Sequence, residues 1–442
     1  MFKAVVGLQF GDEGKGKFVD FMATNHDYIA RYNGGANAGH TVNVNGKQAS
    51  FSQIPATLEN NKMLFVCQDA LISLEKLSDE LEFIKVTCKN SKVYIDPRCH
   101  IVLPIHVELN RASEDYKGKK KIGSVGVGVG ACFEDKSNRL GIRLIDATNK
   151  ETLKEKLKLL WDIRAKQISN VFNGKLTLDF ESECNSIYQL AKGIEPYFSF
   201  TNDEIHKLLS NNKDILLETS QATFLDNSFG TYPYTVAYHT LVQSCFTSIG
   251  VPAHEMYVLG VMKAYTIRVG NGPLPTEFND EKANRIRTVG NEFGTVSKRP
   301  RRIGWLDLVL VKHALKLTGT TEIAITNIDV LSELKEIPVC VGYTLDGEDV
   351  CANKALIMLD KVEPVYKVFS SWPTLNKKYE SIDLLPKEAI DYLSFIEHEL
   401  GVRIKYVSYG KDREQTIEVS SYINQFHVEN GLSSTDYLIT RT

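Results

Sequence analysis

The chain has 442 residues, with 52 Lys+Arg against 55 Asp+Glu, a formal charge of −3, and 43% hydrophobic and 24% charged residues. This is ordinary globular usage, and it argues against long disorder, collagen-like sequence and a dominant nucleic-acid-binding surface. The eight cysteines, at 67, 88, 99, 132, 184, 245, 340 and 351, form no C-x-x-C pair, which disfavours a structural zinc site and a dense disulfide framework.

No apolar run approaches the ~20 residues needed to cross a bilayer. The start, MFKAVVGLQFGDEGKGK, meets a charged, glycine-rich loop too soon for a signal peptide. The expectation is a reduced, cytoplasmic protein with no membrane and no nucleic-acid partner.

In chain order, Phe2–Leu8 reads as a short buried strand, and the loop after it leads into Phe18–Met22, whose apolar residues start a helix. Further strand-like runs stand at Lys92–Ile95, Asp214–Leu217, Met256–Val261, Glu322–Thr326 and Arg403–Val407. They alternate with charged helical stretches such as Lys150–Gln167 and Pro386–Leu400, the latter with proline at the first helical position. Such alternation predicts an α/β fold around a mostly parallel central sheet.

Proline is sparse, and neither a Pro/Ser-rich linker nor an internal repeat divides the chain, so a single domain over residues 1–442 is the preferred division. Lys117–Ala131, with glycines at 123, 126, 128 and 130, and Thr295–Arg302 read as mobile loops of the kind that close over ligands. Residues 170–215 suit helical packing and carry no chemical motif.

Residues 11–17, GDEGKGK, fit G-x-x-x-x-G-K, but Phe18 stands where an ordinary P-loop places a magnesium-binding Ser or Thr. Gly11, Gly14 and Gly16 let backbone amides approach phosphate oxygens, while Lys15 and Lys17 can offset charge at a helix amino terminus. Asp12 and Glu13 then require a reason. A carboxylate beside a triphosphate is repulsive unless a metal bridges it, a cation pairs with it or it takes a substrate proton. A solvated turn is the plainer reading of the same residues.

A second small-residue loop, NGGANAGHT at 33–41, can bring amides and the His40 imidazole to the same anion. Glu322–Asp329 reads as a buried strand ending in a polar turn. There Asp329 can accept both N1–H and the exocyclic amine of guanine, a pattern adenine does not match, or can simply form the turn. Val296–Arg302 holds four cations in seven residues, suited to a dicarboxylate and a nucleotide phosphate or to a solvated basic surface.

Taken together, GLQFGDEGKGK, RYNGGANAGHT, FGTYPY, LGVMKAYTIRVGNGPLPTE, NEFG and RRIGWLD, in this order from near residue 4 to about 413, resemble the adenylosuccinate synthetase family. The resemblance implies GTP-dependent ligation of L-aspartate to IMP through 6-phosphoryl-IMP, giving adenylosuccinate, GDP and phosphate in AMP biosynthesis. Asp12 is the implied base that takes the N1 proton, and His40 assists proton transfer or stabilises charge as GDP leaves. Mg2+ is implied on the phosphates, Asp12 and the Gly39 carbonyl.

The same resemblance assigns GTP contacts to Gly11, Asp12, Glu13, Gly14, Lys15, Gly16, Lys17, Gly39, His40, Thr41 and Arg301, with Asn327, Ile328, Asp329, Ser408, Tyr409 and Gly410 around the base. It assigns IMP contacts to Asp12, Glu13, Gly14, Lys15, Asn37, Ala38, Gly39 and His40, and to Val125, Arg139, Gln221, Thr235, Val236 and Arg299. Aspartate falls to Thr295, Val296, Ser297, Arg299 and Arg301. A homodimer is implied, with Arg139 entering the neighbouring site.

Departures from the family pattern fall in the binding loops. Val125 and Val236 replace threonines near IMP, so hydroxyl contacts are expected to be missing there, with Thr235 a substitute if the backbone shifts. Lys298 replaces a glycine, Pro300 an arginine, Asn327 a lysine and Phe10 a tryptophan. Two competing readings are a regulatory GTPase, turning over GTP without IMP or aspartate, and a non-catalytic nucleotide- or nucleic-acid-binding protein using Lys117–Lys121 and Lys298–Arg302.

Overall fold

The structure, a computed structural model, describes residues 1–294 and 299–423. Its axis is the strand Phe2–Gly7, a continuous apolar run because both of its faces are covered. Alternate side chains enter two separate apolar layers. Phe2, Ala4 and Val6 join the layer holding Leu310, Val311, Leu393 and Ile396, while Val5 joins Phe18, Val19, Leu77 and Leu157.

This strand lies fifth in a nine-stranded sheet, in the order Thr416–Glu418, Ile404–Ser408, Glu322–Thr326, Met256–Lys263, Phe2–Gly7, Ile215–Glu218, Tyr28–Arg31, Met63–Val66, Lys92–Ile95. Neighbours pair in parallel, except the edge strand Thr416–Glu418, which runs antiparallel to Ile404–Ser408. The α/β, mostly parallel expectation therefore holds. Helices cover both faces, with Lys15–Ala23 on one and Leu308–Thr318 and Lys387–Leu400 on the other. In such a sheet, ligands bind beyond the carboxyl ends of the strands, where the chain leaves the first strand to opposite sides.

The strands expected at 92–95 and 322–326 match residue for residue, and those at Ile215–Glu218 and Ile404–Ser408 sit one position later than their sequence runs. Tyr28–Arg31 and Met63–Val66 were not anticipated. Pro386 is the residue before the helix and not its first: at φ −55 and ψ 145 it is extended, and Lys387 opens the helix. Proline's fixed φ serves either place; ψ decides. The helix Lys150–Lys166 is capped by the Asn149 side chain, which accepts from Thr152 N. Residues 170–215 include the helices Phe180–Ile194 and Thr201–Ser210. Among the described residues no helix is long and apolar enough to cross a membrane.

One buried cap offers a stability test. Asp307, at the head of Leu308–Thr318, accepts from Leu310 N at 3.1 Å and from the Tyr343 hydroxyl. Burial pushes its carboxyl up from 3.8 to about 6, against those hydrogen bonds. A carboxyl raised on folding stabilises the fold in its protonated form below its unfolded value, and that contribution is lost as pH climbs through about 6. Asp307→Asn keeps an N-cap acceptor without the charge. The variant is expected to match the parent near pH 4 and to be more stable at pH 7.5, by an amount on the order of 3 kcal/mol at most. Denaturant midpoints at the two pH values check this; an Asn variant less stable at pH 7.5 contradicts it.

Candidate active site

The central strand ends at Gly7 and turns through residues 11–14 into the helix Lys15–Ala23. Gly11, Asp12 and Gly14 have φ of 94, 58 and 96, the left-handed region that favours glycine and tolerates Asp. No side chain caps the helix at Gly14, so its first amides are available to an anion.

Glu13 is fully buried beneath this turn. Its carboxylate accepts from Gln9 N at 3.2 Å and Gly11 N at 2.8 Å, and pairs with Lys15 Nζ at 2.6 Å. A Cβ on Gly7 would stand 2.6 Å from Glu13 Oε2, so only glycine fits there. Lys17 donates to Ser408 Oγ at 2.7 Å, Gly410 O at 2.9 Å and Gln415 O at 3.0 Å. Burial lowers its pKa to about 7, with Asp329 and Asp412 opposing. The two lysines expected to face phosphate are thus already engaged: Lys15 balances Glu13, and Lys17 fastens the 408–415 segment to the helix. Phe18 is fully buried against Tyr406.

Asp12 turns the other way, into a cavity of about 1540 Å3. Its carboxylate meets Arg301 Nη2 at 2.6 Å, and Arg301 Nη1 lies 2.7 Å from Glu292 Oε2. Glu292 is fully buried and also bonds Lys263 Nζ and the Tyr265 hydroxyl. Burial opposes the guanidinium charge of Arg301, but Asp12 and Glu292 outweigh it and its pKa is raised.

His40 opens the strand His40–Val44, which packs closely over the helix start: a Cβ on Gly16 would lie 2.8 Å from His40 Cβ. Its Nδ1 bonds Glu218 Oε1. Glu218, fully buried at the carboxyl end of its strand, accepts from Ala56 N at 2.7 Å through the other oxygen, with Arg31 Nη1 3.8 Å away. Burial pushes the Glu218 carboxyl up, yet His40, Arg31 and the Ala56 amide more than offset this and hold it below its ordinary value. Assigning the Nδ1 proton from this pairing leaves Nε2 for chemistry in the cavity, which His40 lines.

The same cavity gathers most of the residues singled out from sequence. Gly11, Asp12, Gly14, Lys15 and Gly16 line it, with Asn37, Ala38, Gly39, His40 and Thr41. Val125, Gln221, Thr235, Val236, Arg301, Asn327, Asp329 and Gly410 complete that set. Two buried acceptors inside it, Asn37 Oδ1 and Asp329 Oδ1, have no protein partner, the condition in which a ligand donor is worth most. Burial also raises the Asp329 carboxyl, against its backbone hydrogen bonds and the charges of Lys17 and Lys263.

Glu13, Lys17, Ile328, Ser408 and Tyr409 lie behind the wall, the Tyr409 hydroxyl accepting from Tyr379 N at 3.2 Å. Arg299 does not line the cavity, and Arg139 is exposed beyond the helix Val129–Ser137. Thr295, Val296, Ser297 and Lys298 lie outside the described residues. In the segment 117–131, expected to be a mobile loop, Gly118–Lys120 form a turn of 3-10 helix and Val129 starts a helix. Sequence reasoning missed Glu218, Glu292 and Lys263. The signal for Glu218 and Lys263 was a charged residue closing an apolar strand, as in ILLE and VLGVMK.

The adenylosuccinate synthetase family model matches residues 4–417. The chain is 62% identical over 419 residues to adenylosuccinate synthetase 1 of Photorhabdus laumondii, covering 95% of this chain and 100% of that one. It is 36% identical over 417 residues to the adenylosuccinate synthetase of Borrelia recurrentis, covering 94% and 97%. The fully ligated adenylosuccinate synthetase of Plasmodium falciparum superposes with a TM-score of 0.88 at 33% identity, over 94% of this chain and 99% of that one. A cyanophage S-2L succinoaminodeoxyadenylate synthetase, at TM-score 0.60 and 17% identity, shares the fold. On this agreement of sequence and structure over nearly the whole length, the chain belongs to the adenylosuccinate synthetase family of ligases, which form carbon–nitrogen bonds.

Proposed function

We propose that the chain, acting as one catalytic unit over residues 1–442, joins L-aspartate to IMP with GTP to give adenylosuccinate, GDP and phosphate in the cytoplasm. The observation that carries this is Asp12 and His40 lining one cavity with an uncapped helix start and the unpartnered Asp329 oxygen. Asp12 takes the N1 proton of IMP, and O6 then attacks the γ-phosphorus of GTP, breaking its bond to GDP. His40, oriented by Glu218, places Nε2 where the phosphoryl group passes and stabilises the developing charge. The aspartate amine next attacks C6 of 6-phosphoryl-IMP, and phosphate leaves. Asp329 selects guanine by accepting its N1–H and amine.

Arg299 and Arg301, with Thr295, Val296 and Ser297, are the proposed aspartate contacts; Arg301 already faces the reacting edge through Asp12. Among the described residues no group of three or more His, Cys, Asp or Glu forms a metal cage. Magnesium carried on phosphates needs only one or two protein ligands, so a cavity-facing Asp12 with the Gly39 carbonyl fits. Bound there, it would neutralise phosphate charge. A regulatory GTPase is not supported by family membership over the whole chain.

With GTP, IMP, L-aspartate and magnesium supplied, stoichiometric adenylosuccinate and GDP are expected, with loss of both when any component is omitted. GTP hydrolysis indifferent to IMP and aspartate would sink the proposal. Asp12→Asn should bind nucleotide yet lose at least about 100-fold in kcat; near-normal synthesis would overturn the role of the base.

Glu218→Gln should lower kcat on the order of 100-fold while changing KM for IMP much less. A loss carried by KM instead of kcat would reduce Glu218 to a packing role. Arg139 is exposed away from its own cavity, which supports a homodimer with shared sites. Inactive Arg139→Leu mixed with inactive Asp12→Asn should regain up to about a quarter of parental activity after subunit exchange, and no recovery contradicts sharing.

A further inference from the structure

Two uncapped helix starts face the cavity. One is the turn after the central strand. The other belongs to the helix Val129–Ser137, which opens after Gly128 at φ 77 with no side-chain cap, and whose Val129, Gly130 and Ala131 line the cavity. A purine whose N1–C6 edge meets Asp12 and His40 turns its N9 substituent away from them, and free helix amides hold the anionic end of such a substituent. Donors of this kind serve a ligand only when the element that carries them is fixed to about half an ångström.

What fixes this helix lies outside the cavity. A Cβ on Gly128 would stand 2.9 Å from Val107 N and 3.0 Å from His106 Cβ, so the helix start rests directly on the backbone of the helix Pro104–Lys117. Nearly two turns further on, Asp135 is fully buried, as is His106, and Arg164 of Lys150–Lys166 is 3% exposed. Asp135 divides its oxygens between them: Oδ2 meets His106 Nε2 at 2.9 Å, while Oδ1 accepts from Arg164 Nε at 3.0 Å and from its Nη2. Leu103 N donates to His106 Nδ1 at 3.0 Å, which makes Nδ1 the acceptor and puts the ring proton on Nε2, facing the carboxylate. Burial pushes the Asp135 carboxyl up, yet its hydrogen bonds from His106 and Arg164 more than offset this and hold it below its ordinary value.

Arg164 extends this cluster to the cavity wall. Its Nη1 lies 2.7 Å from Glu134 Oε1 and bonds Gln167 Oε1, and both of those residues line the cavity. His106, Asp135 and Arg164 do not. The backbone carbonyl of Asp135 also accepts from Leu140 N at 2.9 Å and Gly141 N at 3.1 Å, which ties down the far end of the helix. Three helices thus meet on one carboxylate. Apolar side chains could join them equally well, since a buried ion pair gains little over good packing; what the carboxylate adds is direction, because its two oxygens meet a fork and a ring at only one rotation of the helix about its axis.

Resting on the ligase reading, we infer that Asp135, held by His106 and Arg164, is a positioning residue for the acceptor nucleotide: it sets the rotation and depth of Val129–Ser137 so that the helix start meets the anionic end of IMP. Asp135 itself touches no substrate.

Asp135→Asn keeps the size and one acceptor and loses the charge that Arg164 grips. In the full chain with GTP, magnesium and L-aspartate, KM for IMP should rise about tenfold or more, while kcat at saturating IMP and KM for GTP stay within about threefold of the parent. Calorimetry separates the phosphate from the rest of the ligand: the parent should bind IMP more tightly than inosine, and the variant should lose about tenfold of that preference with inosine affinity unchanged. Arg164→Lys, which keeps the cation and gives up the fork, should move the same ratio in the same direction by less, and it carries the test if the Asn variant does not fold. A merely structural role would lower unfolding midpoints, and kcat with them, and leave the IMP-to-inosine ratio where it was; that result overturns the inference, as does a parent chain that binds the two alike. If both ligands bind and IMP is not turned over, the ligase reading fails while the binding ratio still decides this one.

Discussion

A carboxylate removed from water must be paired, and breaking such a pair costs about 3–5 kcal/mol; the site is organised around three fully buried examples. Glu13 draws the amides of Gln9 and Gly11 inward and holds Lys15 against itself. That fixes the turn in which Asp12 points outward. Glu218 orients His40 from the floor of the sheet, and Glu292 gathers Lys263, Tyr265 and Arg301 so that a guanidinium reaches Asp12. Glu218 and Lys263 close parallel strands, and the Glu13 turn follows a third, so strand register and site geometry are one constraint: a shift by one residue would turn each charge toward the apolar layer on the opposite face.

Much of this was legible in the amino-acid sequence for identifiable reasons. FKAVVG followed by GDEGKGK is a buried strand running into a phosphate turn because the apolar run is unbroken and the glycines meet backbone demands at 11 and 14. What sequence could not give was the direction of neighbouring side chains. Asp12 and Glu13 are adjacent carboxylates, yet one lines the cavity and the other is sealed beneath it; only the left-handed backbone at Asp12 separates them. Glu218 was invisible for another reason, since its partner lies 178 positions away. Lys17 shows the same limit: its charge was read correctly, but its destination depends on contacts formed by Ser408 and Gln415 at the far end of the chain.

Both glycine-rich segments have amides bound by a carboxylate, in different settings. In the phosphate turn, Glu13 is sealed below the surface and neutralised by Lys15 at 2.6 Å, which leaves the helix amides facing outward without a competing charge. At 122–124, the acceptor is Glu114 of the helix Pro104–Lys117, partly exposed and paired with Lys117 at 3.8 Å. The two segments are alike in a further respect: each leads into a helix that starts at a left-handed glycine, Gly14 or Gly128, with no side-chain cap, so amides stay free for an anion in both. At the second, Val236 packs against the cluster of Val129 and Tyr238, while Val125 lines the cavity and stays exposed.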